Sequence, residues 1–321
     1  MNCIKRMPSK MTALRSAMGR QTVSEDKASK LIGLPLLQTK QGEKKERKPL
    51  LPFRWPGGKY YALDHLRPFW VSVPHDEYRE PFAGGASVFF AKSKVRWNWV
   101  NDVDPSLMAT YRVLADPILR VKLADEISKE SASVERWKEV KNLQPTNDYE
   151  LAYRFYYMNR TSFSGKLSSP AWGYRPHRSL PPERWPERII PCGTMLEDVE
   201  LTCKDFAEVI SAPARGKKVL MYIDPPYFCP PRNKHYVNGF TYSDHLRLAD
   251  MLSRSEHDFF LTYEENPDIR KLYEWAHIYP IEFVYRVNNS KTDGGKRRRG
   301  KEVVITNYTL PEQSTIDAYG D

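Results

Sequence analysis

From Leu51 onward the chain is a series of short apolar runs punctuated by Gly, Pro and charged residues. The runs "DEYREPF", "VRWNWVND", "KKVLMYID", "DFFLTYEE", "IYPIEFVYRV" and "KEVVITNYTL" are rich in β-branched and aromatic residues, which predicts six strands. Between them, "GASVFFAKSK", "PSLMATYRVLADPILRVKLADEI" and "SDHLRLADMLSRSE" space their apolar residues at helical intervals. Strand alternates with helix, so the expected class is α/β with a largely parallel sheet. The last two strands, joined through "NNSKTDGGKRRRGK", predict an antiparallel hairpin at the sheet's edge. Two segments fall outside the alternation. Residues 159–192 are crowded with Pro, Arg, Ser and aromatics, and a connection of that length within a compact domain is usually functional. Residues 1–50 are basic and poor in aromatics, and predict a disordered tail, with a transit peptide or an over-extended start as alternatives.

Charge narrows the partner. Lys and Arg number 50 against 40 Asp and Glu, a net +10 that suits a polyanion, either nucleic acid or an anionic membrane surface. No apolar run approaches the roughly 18 residues of a spanning helix and no secretory core opens the chain, so no membrane role is expected. Cys3, Cys192, Cys203 and Cys229 form no C-x-x-C pair, and the histidines show no H-E-x-x-H spacing. Neither a metal site nor a disulfide framework is expected, and the setting is read as reducing and intracellular.

Three strand ends carry chemistry, because ligands of a doubly wound sheet bind beyond the carboxyl ends of its strands. In "EPFAGGASVFF" a strand runs into Gly84 and Gly85, which allow positive φ and close approach of backbone to a ligand. In "WNWVNDVDP", Asp102 follows at close to the roughly 20-residue offset at which an acid reaches the ribose of a nucleoside cofactor. In "KKVLMYIDPPYF" the prolines force the strand to stop at Asp224. There the Asp224 carboxylate and the Pro225 carbonyl offer two acceptors to an exocyclic amine, Pro226 stiffens the turn, and Tyr227 offers a face for stacking.

"FRWPGGKY", "EPFAGG" and "DPPY", in that order over most of residues 51–310, resemble the Dam-type, alpha-class family of S-adenosylmethionine-dependent DNA adenine-N6 methyltransferases. The resemblance implies a Rossmann-like methyltransferase sheet, mostly parallel with an antiparallel C-terminal hairpin, and an inserted target-recognition region. It divides the chain into a tail (1–50), a cofactor-binding part (51–115), a DNA target-recognition insert (116–192) and a catalytic part (193–321). It assigns Trp55, Gly57, Gly58, Lys59, Glu80, Pro81, Phe82, Gly84, Gly85, Asp102, Asp205 and Phe206 to S-adenosyl-L-methionine, and Asp224, Pro225, Pro226 and Tyr227 to catalysis. Ala86 stands where the family often has a further glycine. The implied reaction is direct attack of a flipped adenine's N6 on the donor's methyl group. The implied partner is double-stranded DNA, with no obligate protein partner, a monomeric state and a cytoplasmic location. "NRTSFSG" resembles the signature that precedes the family's DNA-reading hairpin, and Asn159, Arg160, Lys166, Arg175, Arg178, Lys296, Arg297 and Arg298 are the DNA-contact candidates. Arg184, with Trp172, Tyr174 and Trp185, adds charge and aromatic surface for a splayed duplex.

Rival readings fail on particular residues. "PGGKYY" lacks the phosphate-loop frame and has Tyr60 where a metal-binding hydroxyl belongs. Cys192 in "IPCG" invites a cytosine-C5 nucleophile, yet it falls within the segment that breaks the alternation, away from the strand ends. Cytosine N4, RNA adenine or a protein amide would keep the mechanism and change the amine. A DNA-binding module that lost turnover is the non-enzymatic alternative, against which the intact Asp102 and Asp224 count.

Overall fold

The computed structural model describes residues 49–226, 240–284 and 299–311. Among these, seven strands make one sheet: β1 (Glu77–Glu80), β2 (Trp97–Asn101), β3 (Glu200–Thr202), β4 (Val219–Ile223), β5 (Asp258–Glu264), β6 (His277–Val284) and β7 (Arg299–Thr306). Their order is β3-β2-β1-β4-β5-β7-β6. β3, β2, β1, β4 and β5 run parallel, β7 pairs antiparallel with β5, and β6 pairs antiparallel with β7. The chain leaves β1 towards β2 and β3 and returns to β4 on β1's other side. This reversal opens a crevice at the carboxyl ends of β1 and β4, where α/β sheets bind ligands.

Both faces of the sheet are covered, as parallel pairing requires. Successive β4 residues alternate between two cores. Leu220 and Tyr222 pack with Tyr78, Val100 and Phe260, while Val219, Met221 and Ile223 pack with Phe206, Leu248 and Leu252. β1 is buried yet reads Glu-Tyr-Arg-Glu, so its charges need partners. Glu77 holds Arg79, whose guanidinium also donates to the carbonyls of Val209, Ala212 and Pro213. Arg79 thereby closes the carboxyl end of the helix at Phe206–Ser211.

The helices are α1 (Leu63–Val71), α2 (Ser87–Ala91), α3 (Pro105–Ala115), α4 (Pro117–Ser128), α5 (Val134–Asn142), α6 (Asp148–Thr161), α7 (Pro186–Leu196), α8 (Phe206–Ser211), α9 (Tyr242–Ser253) and α10 (Pro267–Leu272). Three expectations are corrected. The single helical run from Pro105 to Ile127 is two helices, because the Asp116 carboxylate accepts from the Ile118 and Leu119 amides and Pro117 starts a new helix. Residues 159–192 are not irregular throughout. α6 ends and α7 begins within them, and Cys192 is buried in α7, where burial pushes its thiol up to about 12. A thiol so held is no nucleophile. β3 went unread because it is short and only half-buried. α3 to α7 fill the crossover from β2 to β3, and their buried residues, among them Tyr111, Leu123, Trp137, Tyr156 and Ile189, join the core on one face of the sheet.

α9 places a histidine inside the opposite core. His245 is fully buried, with Nδ1 2.7 Å from the Tyr263 hydroxyl, and burial pulls its pKa down to about 4. The unfolded chain takes up this proton first, near the ordinary histidine value of about 6.5. The stability due to the neutral ring is therefore complete above about pH 6.5 and is lost as the pH falls through 4. Urea unfolding across that range should show a loss of about 3 kcal/mol in the native protein that His245→Asn lacks. Equal pH dependence of the two proteins would refute the assignment.

Candidate active site

The site begins with the close packing of two segments distant in sequence. Trp55 lies flat against the turn after β1: a Cβ on Gly84 would meet Trp55 Nε1 at 2.6 Å, and one on Gly85 would meet Trp55 Cβ at 2.7 Å. Gly84 also has φ +46°, which L-residues disfavour. The turn is held from outside as well. The Asp102 carboxylate accepts from the Gly84 amide (2.9 Å) and the Asp104 amide (3.0 Å), and the Tyr111 hydroxyl donates to the Gly84 carbonyl (2.7 Å). Burial raises the pKa of Asp102. Asn101, which the sequence did not single out, joins three strand ends. Its side-chain N–H groups donate to the Pro81 and Lys204 carbonyls, and its Oδ1 accepts from Thr202 and from the Lys204 amide.

Glu80 lies behind the turn. It is fully buried, its Oε1 accepts from the Tyr78 hydroxyl and the Phe89 amide, and burial pushes its pKa up to about 8. Its role in this arrangement is to fix the start of α2. Ala86, at the N-cap of α2, has φ 47° and ψ 40°. That conformation costs a non-glycine residue about 1–2 kcal/mol. Against this, its buried methyl contributes about 0.8 kcal/mol and the restricted unfolded chain about 0.4–1 kcal/mol. The terms nearly cancel, so Ala86→Gly should change the unfolding free energy by less than about 0.5 kcal/mol in urea titration.

Four residues after Trp55, Lys59 reaches the second strand end. Its Nζ is 2.7 Å from Asp224 Oδ1 and 3.9 Å from the Glu302 carboxylate, and it is only 6% exposed. Thr262 on β5 donates to the same Asp224 oxygen at 2.8 Å. Asp224 Oδ1 thus has two donors, whereas Oδ2 has none among the described residues. Gly57, with φ +79°, and Gly58, whose added Cβ would meet the Trp55 carbonyl at 3.2 Å, make the tight turn that joins Trp55 to Lys59. Pro225 is buried and Pro226 half-buried after Asp224. Tyr227 lies outside the described residues.

A pocket of about 180 Å³ opens beyond β1, β2 and β3, between Phe82, Val103, Asp205, Phe206, Phe240 and Arg247. Phe82 and Phe206 stack with ring centroids 5.1 Å apart, and Phe240 meets Phe82 edge-on at 5.5 Å. Asp205 caps α8 through the Ala207 amide and receives two hydrogen bonds from Arg247.

The DNA-contact candidates divide. Asn159 is fully buried: its Oδ1 accepts from the Arg54 amide, and its Nδ2 donates to the Arg54 and Gly165 carbonyls. It ties the segment before Trp55 to the loop after α6, which corrects the expectation of a surface role. Arg160 donates to the Pro52 carbonyl and lies over Tyr156, a structural placement too. Trp185 is fully buried, with its indole N–H on the Leu180 carbonyl, so it offers no surface. Lys166, Arg175 and Arg178 are exposed, and Arg184 is exposed but paired with Glu187. Trp172 and Tyr174 are half-buried. The loop shows one exposed aromatic that the sequence reading passed over, Phe163, at 56% exposure. Gly173 packs onto it so closely that a Cβ would lie 2.3 Å from Phe163 Cα. Lys296, Arg297 and Arg298 lie outside the described residues.

The chain was compared with known proteins. The model of the D12 class N6 adenine-specific DNA methyltransferases matches residues 55–287. The Type II methyltransferase M.CviBI of Paramecium bursaria Chlorella virus NC1A is 27% identical over 275 residues, covering 81% of this chain and 100% of that protein. Among solved structures, the rRNA methyltransferase aviRa of Streptomyces viridochromogenes covers 92% of this chain and 98% of its own, at TM-score 0.36 and 13% identity. The matched span runs from Trp55, which packs on the glycine turn, through Asp224 and beyond β5, so that the chain belongs to the D12 class N6 adenine-specific DNA methyltransferase family.

Proposed function

We propose that this DNA adenine methyltransferase takes S-adenosyl-L-methionine as donor and methylates, by direct attack of N6, an adenine flipped out of duplex DNA. The observation that carries the reading is the half-satisfied Asp224 carboxylate at the switch point, beside the glycine turn. The residues fit the donor. Gly84 and Gly85 make a tight turn at the end of β1 with Trp55 packed on it, and Asp102 accepts from the Gly84 amide beside them. The 180 Å³ pocket is below the roughly 300–1,000 Å³ of complete ligand sites, and so suits one ring system of a larger molecule. Gly84, Gly85, Asp102, Asp205 and Phe206 would hold it. When bound, the donor supplies a methyl group on a positively charged sulfur.

The chain's own residues prepare the amine. Lys59 and Thr262 fix Asp224 through Oδ1, leaving Oδ2 to accept one N6 hydrogen, and the Pro225 carbonyl takes the other. Both hydrogen bonds draw electron density onto N6 and aim its lone pair away from the ring, so position and electrostatics supply most of the rate; N6 takes the methyl while the sulfur keeps the bond pair as a neutral thioether, and N6 gives up its surplus proton through Asp224 Oδ2 to water. Tyr227 is assigned to stacking on the flipped base. A methyl group of defined chirality distinguishes direct attack from relay: one displacement inverts it, whereas a covalent enzyme intermediate would restore it. Inversion is expected, and retention would overturn the mechanism.

Exposed Lys166, Arg175 and Arg178 are proposed to meet DNA phosphates, and Phe163 to occupy the gap left by the flipped base. Replacing the three cations with Ala should raise the KM for DNA and lower the salt slope by up to about 2–3, while the donor Kd is unchanged. A monomer without an obligate protein partner is proposed as well. The likeness to a protein named a Type II methyltransferase supports a restriction–modification setting.

A further inference from the structure

The pocket beyond β3 contains a cation that neither the sequence nor the proposed mechanism uses. Arg247, on the first turns of α9, meets Asp205 with both arms of its guanidinium, Nη1 to Oδ1 at 3.1 Å and Nη2 to Oδ2 at 2.8 Å. A third hydrogen bond runs from Nη2 to Asp244 Oδ1 at 3.3 Å. Asp244 is the carboxylate of the α9 capping box, with Oδ2 on the Thr241 amide and hydroxyl, so the far end of the network is fixed to a helix start. The guanidinium carbon lies 4.2 Å from the centroid of the Phe206 ring, whose stacking partner is Phe82.

The acceptor count at Asp205 gives this arrangement a meaning. A carboxylate has about four lone-pair sites. Asp205 Oδ1 takes the Ala207 amide and Arg247 Nη1, and Oδ2 takes Arg247 Nη2. One site remains, on Oδ2, in a carboxylate that lines the pocket. A single open acceptor beside an aromatic wall matches a planar ring carrying an amino group, and repels one carrying a carbonyl there. We propose that Arg247 is a positioning residue for the donor's purine: it locks Asp205 so that one acceptor alone faces the exocyclic amine, and it holds the Phe206 ring as the pocket wall. The inference rests on the reading of this pocket as part of the donor site.

Titration calorimetry with S-adenosylhomocysteine and its hypoxanthine analogue, S-inosylhomocysteine, tests it without turnover. Arg247→Met should weaken adenosyl binding about ten-fold and narrow the preference over the inosyl compound, with Arg247→Lys recovering part of both. In methyl transfer, the same variant should raise the donor KM and leave kcat and the KM for DNA within about two-fold. Arg247 is 44% exposed, so folding should survive, and the melting temperature checks this. Adenosyl affinity unchanged or tightened in Arg247→Met, with Asp205→Ala binding poorly, would overturn the role of Arg247 alone. If Asp205→Ala and Phe206→Ala also bind the donor normally, the reading of the pocket itself falls.

Discussion

Asp224→Asn should lower kcat for methyl transfer by at least about 10²–10³ while the protein still folds and binds its donor. The substitution preserves shape. The side-chain carbonyl can still accept from Lys59 and Thr262, where Asp224 Oδ1 now receives bonds of 2.7 and 2.8 Å. The other position then carries an NH₂ in place of Oδ2. A donor would face a donor, since the N6 hydrogens of the target adenine need an acceptor there, and the hydrogen bond that draws charge onto N6 turns repulsive. Lys59 keeps Glu302 at 3.9 Å, so the buried ammonium is not stranded. The expected pattern is a fall in kcat with little change in donor Kd or melting temperature, which marks an interaction used in the transition state.

Gly84→Ala should destabilise the protein by about 2–5 kcal/mol and weaken donor binding with it. The backbone contributes about 1–2 kcal/mol, because φ is +46° and a Cβ strains the left-handed region. Overpacking contributes about 1–3 kcal/mol, because that Cβ would lie 2.6 Å from Trp55 Nε1 and 3.1 Å from two further ring atoms. A double-mutant cycle separates the two. In a Trp55→Ala background the clash is gone and the strain remains, so the penalty for Gly84→Ala should shrink to about 1–2 kcal/mol. An unchanged penalty would mean that Trp55 does not pack on the turn in solution.

The strands and the turn at Asp224 were legible because both obey short-range rules. A fully buried parallel strand reads as continuous apolar residues, as at Val219–Ile223, and two prolines must end it. β3 follows no such rule: Glu200–Thr202 gains its place from pairing with β2. The split between α3 and α4 was readable in Asp116–Pro117, where a cap and an N1 proline interrupt an otherwise continuous helical period.

Within the site, the motifs announced Trp55 and the glycines, but not the contact between them. Trp55 packs on Gly84 and Gly85 through a contact that no local pattern encodes, and Lys59 lies against Asp224 rather than only beside the donor segment. Asn159 shows the converse error. A polar residue in a basic, aromatic stretch reads as a DNA contact, yet its amide is consumed by nearby Gly165 and by Arg54, which lies far from it in sequence. Arg247 escaped notice for a like reason, since Asp205, the cap of α8, is brought to α9 only by the fold.

The account stands most directly on the identity and position of the modified base. DNA from a host expressing the native protein, and from one expressing Asp224→Asn, can be sequenced by a method that separates N6-methyladenine from N4-methylcytosine. The prediction is N6-methyladenine at one recurring sequence in the first sample and none above background in the second. N4-methylcytosine alone, or undiminished adenine methylation by Asp224→Asn, would contradict it.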